Sequence, residues 1–158
     1  MRQKILARGV KEDRMVIIPN WADGKQICPL ERSGNKFVEK RYLADKFIVE
    51  CSGHMGEGHD FSTILQAAKR LKEYRDLVFL YIGNGPKRGE IAEFKEKHKL
   101  GNVSLLPYQD RTDLRFSLGA ADVTLISFKS NLESLMFPCK VYGIVASGRP
   151  FIYVGGKP

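Results

Sequence analysis

Apolar residues gather along this chain in five short runs: Phe47-Ile48-Val49-Glu50-Cys51, Leu77-Val78-Phe79-Leu80-Tyr81-Ile82, Val103-Ser104-Leu105-Leu106, Val123-Thr124-Leu125-Ile126 and Phe151-Ile152-Tyr153-Val154. Most are nearly continuous rather than alternating, which suits strands covered on both faces of a parallel sheet. Between them the apolar spacing changes to threes and fours. Phe61, Ile64, Leu65, Ala68 and Leu71 fall on one face of a helix predicted over Asp60 to Tyr74, with Asp60 as its N-cap. Weaker helical patterns span Glu90 to His98, where His98 closes a lysine-rich helix end, and Thr112 to Ala121. Strand and helix alternate through most of the chain. The expected fold class is therefore α/β, a Rossmann-like, doubly wound parallel sheet of about five or six strands.

The last helix is the most informative. Pro138 suits a first turn, Gly148 a left-handed stop, and Pro150 blocks continuation. Val141, Ile144, Val145 and Gly148 are expected on the core face, which frees Lys140, Gly143 and Ser147 to line something else. A lysine in the first turn of a helix that emerges from a loop suits a phosphate. An ordinary surface helix with one solvated lysine has the same spacing.

Residues 1–46 are less regular and read as a linker-like region of a single domain spanning 1–158. Met1 to Arg8 is a charged helical pattern, not a signal peptide. Met15-Val16-Ile17-Ile18 reads as a strand ending at Pro19-Asn20, and Trp21 to Asn35 as a polar, irregular surface loop. Gly155-Gly156-Lys157-Pro158 follows a strand with no closing helix, the pattern expected of a piece of a longer protein.

Composition narrows the functional classes. The chain has 158 residues, 43% apolar and 28% charged, enough for one domain with a core. No apolar run approaches the roughly 20 residues of a membrane span. Cys28, Cys51 and Cys139 lack paired metal-type spacing and read as free thiols, consistent with a cytoplasmic protein. The net charge is +8, but its lysines and arginines are scattered and interleaved with glutamates. Nucleic acid calls for a concentrated stripe or a known module, and neither is present. A phosphorylated small ligand, or an anionic membrane face, fits the charge better.

The loops that follow the strands carry the candidate chemistry. In open parallel sheets ligands bind beyond the strand carboxyl ends. Ser52 to Asp60 contains Gly53, Gly56 and Gly58, which allow close backbone approach, with His54 and His59 as hydrogen-bonding groups for a diphosphate. A flexible glycine turn with two surface histidines is the competing reading. Gly83-Asn84-Gly85-Pro86-Lys87-Arg88-Gly89 superficially resembles a dinucleotide fingerprint, but Arg88 stands where the third glycine belongs. The next strand runs into Leu105-Leu106-Pro107 with no acidic residue at its end. That argues against nicotinamide and flavin cofactors, and no Gly-Lys-Ser/Thr triplet makes a P-loop. No metal motif, cysteine cluster or Gly-x-Ser-x-Gly elbow is present.

Taken in order, the motifs are Val16 to Asp23, Ser52 to Gly56, Ile82 to Pro86, Leu106-Pro107-Tyr108, Ala120 to Val123, Pro138 to Tyr142 and Ala146 to Pro150. This collinear series resembles the C-terminal domain of GT-B glycosyltransferases of retaining family 4. It is most similar to the bacterial enzymes that build O-antigen, capsule and colanic-acid chains. The resemblance implies a donor-binding domain for a nucleotide-sugar, a uridine diphosphate sugar by family analogy, with no cofactor and no metal. It also implies an N-terminal acceptor domain, transfer to a polysaccharide or lipid-linked acceptor, and contact with the inner membrane face. This chain alone would then transfer no sugar. By position, Gly53 to Gly58 would lie near the diphosphate, Pro107 and Tyr108 near the base, and Lys140 with Gly143 near the phosphates and ribose. Gly83, Gly85 and Lys87 complete the expected donor-binding set.

Two departures stand out. Many members carry an Arg and a Lys in the first loop, where this chain has His54 and His59. Many carry two glutamates around the last helix, at places that are Leu135 and Gly143 here, with Glu133 off register. The catalytic residues are accordingly unassigned. Two further readings stay open: another GT-B enzyme such as a nucleotide-sugar 2-epimerase, and a non-catalytic nucleotide-sugar-binding module.

Overall fold

The computed structural model describes residues 2–130, 132 and 137–156. Its elements are α1 (Arg2–Leu6), α2 (Lys36–Lys40), β1 (Phe47–Ser52), α3 (Ser62–Arg70), β2 (Leu77–Ile82), α4 (Arg88–His98), β3 (Val103–Leu106), α5 (Leu114–Ala120), β4 (Val123–Ser127), α6 (Lys140–Ala146) and β5 (Phe151–Val154). Each of the five apolar runs forms a strand. They pair in the order β3-β2-β1-β4-β5, and every pairing is parallel. The fold is thus the expected Rossmann-like α/β sheet.

Alternate residues of each strand serve opposite layers. Val49, Cys51, Phe79, Tyr81, Val103 and Leu125 pack with Ile64, Leu65 and Ala68 of α3 and Ile91 of α4. On the other face Ile48, Leu80 and Ile82 meet Phe37 and Val38 of α2 and Ala120 of α5, while Ile126 and Phe128 meet Ile144 of α6. Asp60 accepts a 2.9 Å hydrogen bond from the Ser62 backbone amide, but the N-cap position of α3 falls one residue later than expected, at Phe61. The Ser62 hydroxyl first, and its backbone amide second, hold the Asp60 carboxyl below its ordinary pKa.

Three further expectations need correction. Met15 to Ile18 is not a strand, and Val16, Ile17 and Ile18 are largely exposed. A short apolar run becomes a strand only where a sheet edge can pair with it, and this one has none. The Trp21 to Asn35 segment is irregular but is more than a surface loop. Its Arg32 guanidinium grips both carboxylate oxygens of Asp122, at 2.9 and 2.8 Å, and donates to the carbonyls of Leu43 and Lys46. Asn35 is buried, caps the unpredicted helix α2 by accepting from the Phe37 amide, and donates to the Phe116 carbonyl. In α6 the core face is rotated from the expected one. Val145 is 60% exposed and Ser147 is buried, its hydroxyl donating to the Ile144 carbonyl. Gly148 does take the left-handed turn, at φ +69°, and a side chain there would press on Pro29.

Candidate functional site

From β1 the chain crosses to β2 and β3 on one side, and β4 and β5 lie on the other. The connections therefore diverge at the β1–β4 boundary, where a crevice is left beyond the strand ends. A cavity of about 600 Å³ opens there. Its wall includes Ser52 at the end of β1, Gly53, His54 and His59 from the loop that follows, Phe128 after β4, and Pro138, Cys139, Lys140, Gly143 and Ile144 at α6. Leu118 and Thr124 contribute from α5 and β4, Arg111 from the loop before α5, and Trp21, Asp23 and Ile27 from the N-terminal segment.

Five of the expected donor-binding residues thus share one cavity: Gly53, His54, His59, Lys140 and Gly143. The Lys140 side chain lies over the end of β1, its ammonium 3.5 Å from where a side chain on Gly53 would begin. No ion pair to Lys140 forms among the described residues. α6 has only seven residues, so the positive charge here comes from the lysine itself rather than from a long helix dipole. Gly143 leaves room: a side chain there would only touch Ile27 and Leu118.

The two histidines differ. His54 is exposed, its ring within 3.4 Å of the Tyr108 hydroxyl. His59 is buried between Phe61 and Phe128, with ring centroids 5.5 and 5.1 Å away. Its Nδ1 meets the Ser127 carbonyl. Burial, and then the nearby Lys140 charge, hold its pKa below the ordinary histidine value, so the ring is neutral near pH 7. His59 therefore joins the loops after β1 and β4. The Lys129 amide donating to the Gly58 carbonyl, and the Asp60 amide donating to the Ser127 hydroxyl, make the same join.

The remaining expected residues lie outside the cavity wall. Gly83 and Gly85 sit against backbone, at φ +135° and +145°: a side chain on Gly83 would meet the Gly53 carbonyl oxygen at 2.0 Å, and one on Gly85 the Met55 carbonyl oxygen at 2.5 Å. Their role is to let the loops after β1 and β2 touch. Gly56 accommodates the His54 ring. The Lys87 ammonium is held by Glu90 at 2.7 Å and lies 3.7 Å from Glu57. Pro107 and Tyr108 follow β3, where the exposed Tyr108 donates to the Asn84 carbonyl. Leu135 and Glu133 lie outside the described residues.

Sequence reasoning did not single out Arg111, Ile27 or Thr124. Arg111 lies outside every glycine loop, and Thr124 is one residue within a strand. The N-terminal segment carried a usable signal in Trp21-Ala22-Asp23, which belongs to the motif series. Among the described residues no cluster of three or more His, Cys, Asp or Glu could hold a metal ion. None of the described helices is long and apolar enough to cross a membrane.

No protein-family model matches the chain. It is 25% identical over 150 residues to WcaI of Escherichia coli K12, named as a colanic acid biosynthesis glycosyl transferase, covering 94% of this chain and 37% of that protein. It is 28% identical over 147 residues to WbjE of Pseudomonas aeruginosa, named as a glycosyltransferase, covering 90% of this chain and 36% of that protein. The chain thus spans little more than a third of the length of these relatives. Among solved structures, Anabaena HepE in complex with UDP-glucose superposes with a TM-score of 0.74 at 15% identity, over 98% of this chain and 43% of HepE. The chain resembles the C-terminal domain of a GT-B glycosyltransferase of the colanic-acid and O-antigen type, as its motif series implies.

Proposed function

We propose that this chain is the nucleotide-sugar-binding domain of a glycosyltransferase and that the β1–β4 cavity takes the donor. The observation that carries this reading is Lys140: a cation laid over the glycine at the end of β1, in an otherwise largely apolar cavity at the divergence of the sheet. Gly53 presents backbone rather than a side chain to the same space. A diphosphate there would receive the lysine charge directly, and Trp21, Phe128 and Ile27 offer apolar surface to the rest of the donor. Uridine diphosphate is the favoured nucleotide, since HepE was crystallised with UDP-glucose in the same fold.

Names of the two relatives favour a transferase over an epimerase or a non-catalytic module. Their length supports an additional acceptor-binding domain in the whole protein. Polysaccharide or lipid-linked acceptors, a cytoplasmic location and a peripheral contact with the inner membrane face, which the net positive charge would tolerate, belong to the same proposal. Donor and acceptor must be held together for transfer, so this domain by itself supplies only the donor half of the site.

Lys140→Ala tests the reading. A charge-assisted hydrogen bond contributes about 1.5–3 kcal/mol, so affinity for UDP should fall roughly tenfold or more. The thermal midpoint should stay put, because Lys140 makes no ion pair among the described residues. Calorimetry gives both numbers. Unchanged affinity would return Lys140 to an ordinary surface lysine.

A further inference from the structure

Glu50 is a carboxyl in the middle of a buried strand, fully inaccessible to solvent. Nothing in the strand pattern requires it; its register neighbours are Leu80 on β2 and Thr124 on β4. Neither of its oxygens has a hydrogen-bond partner of good geometry. Strand alternation puts it on the same face as Ser52, and Ser52 and Thr124 both line the cavity. Glu50 therefore lies directly beneath the cavity floor.

The groups around it are few. Burial raises its pKa to about 8, against the smaller opposing effects of the Ser52 hydroxyl on its own strand and, after it, the Lys140 charge on α6. Cys51, on the reverse face, is raised by burial, against the Lys140 charge and with a smaller push from Glu50. The buried positions of α5 are Ser117, Leu118, Gly119 and Ala120, and those of α2 are Phe37 and Val38; none is titratable. Among the described residues Lys140 is the one cation that bears on Glu50, through space and less than Ser52 does, and it also bears on Cys51 and His59.

We propose that Glu50 is a buried counter-charge that competes with the donor's diphosphate for Lys140, so that the donor is held with Glu50 protonated and loosened as Glu50 ionises. This rests on the donor-site reading above. Glu50 touches no substrate in this scheme; it is a positioning residue that acts through Lys140. With Glu50 neutral, the whole lysine charge is offered to the cavity. With Glu50 ionised, the ammonium has an opposite charge on its inner side, and a diphosphate must displace that interaction. Binding and protonation are then linked: a bound diphosphate draws Lys140 outward and makes Glu50 harder to ionise.

Carbon-detected NMR of the glutamate carboxyl carbons, with the Glu50 signal assigned by its loss in Glu50→Gln, reads the coupling without any ligand. The Glu50 midpoint should lie near pH 8 and move upward in Lys140→Ala. An unmoved midpoint overturns the proposal. Calorimetry with UDP then reads the competition. Wild-type affinity should fall roughly tenfold between about pH 7 and 9.5, and that of Glu50→Gln by less than about twofold, with the ligand's own ionisation common to both. Equal pH dependence in the two proteins overturns the proposal. A coupled midpoint with no UDP binding at any pH contradicts the donor-site reading and the competition with it, while leaving the Glu50–Lys140 coupling established.

Discussion

Replacing Gly83 by alanine is expected to cost the domain a large part of its stability. Gly83 is buried at the end of β2 with φ +135°, a region that L side chains rarely adopt. Its new methyl would stand 2.0 Å from the Gly53 carbonyl oxygen and 3.3 Å from the Tyr108 ring. Neither backbone can yield easily, because Gly53 donates to the Ile82 carbonyl and Gly83 to the Leu106 carbonyl, continuing the sheet past its strands. Strain and overpacking of this kind cost on the order of 3 kcal/mol or more. For a domain of this size that lowers the thermal midpoint by roughly 10 °C. Gly89 is the control: a side chain there meets nothing within 4 Å, and it lies inside α4. Gly89→Ala should be neutral or stabilising by up to about 1 kcal/mol. A Gly83→Ala midpoint matching wild type in a calorimetric scan would mean that the two loops do not touch as described.

The second large effect is a pH-dependent gain of stability in Glu50→Gln. Burial raises the Glu50 pKa from an ordinary 4.5 to about 8. The folded chain therefore holds a proton that the unfolded chain gives up above about pH 4.5. Stability associated with this group is full below the unfolded pKa, declines as pH rises, and levels off above about pH 8. The slope is about 1.4 kcal/mol per pH unit inside that window, so the wild type should lose on the order of 3 kcal/mol between pH 4.5 and 7. Glutamine cannot ionise, and the variant should lack this decline. Urea unfolding of both proteins at pH 5, 6, 7 and 8 measures it. Parallel stability curves would show that the Glu50 carboxyl is not buried in the way the strand places it.

The sheet was legible because its signal is redundant: five apolar runs, each bounded by glycine, proline or polar turns, with helical spacing between them. Where a signal stood alone it was less reliable. Met15 to Ile18 has strand composition, yet a strand needs a neighbour, and pairing is not written in four residues. The short helix α2 went unseen because Phe37 and Val38 are too few to set a period. In α6 a seven-residue helix offers too little periodicity to fix which of Val145 and Ser147 faces inward.

The site was legible in part for the same reason. Glycine loops after parallel strands mark the ligand end of the sheet, and Gly53, Lys140 and Gly143 do meet there. What composition cannot distinguish is why a glycine is needed. Gly53 lies under a lysine in the cavity, whereas Gly83 and Gly85 are glycines because another backbone runs against them. His54 and His59 read alike in sequence. Only packing makes one an exposed ring and the other a buried link between two loops. Lys87, also in the expected donor-binding set, is taken up by Glu90.

The central claim is that the β1–β4 cavity binds the diphosphate of a nucleotide-sugar donor. The most direct measurement is an amide-resolved NMR titration of this chain with UDP-glucose. The account predicts saturable shifts at Gly53, His54, Lys140 and Gly143, with Gly89 and the exposed face of α4 unmoved. Shifts confined to other faces, or none at millimolar ligand, would contradict it.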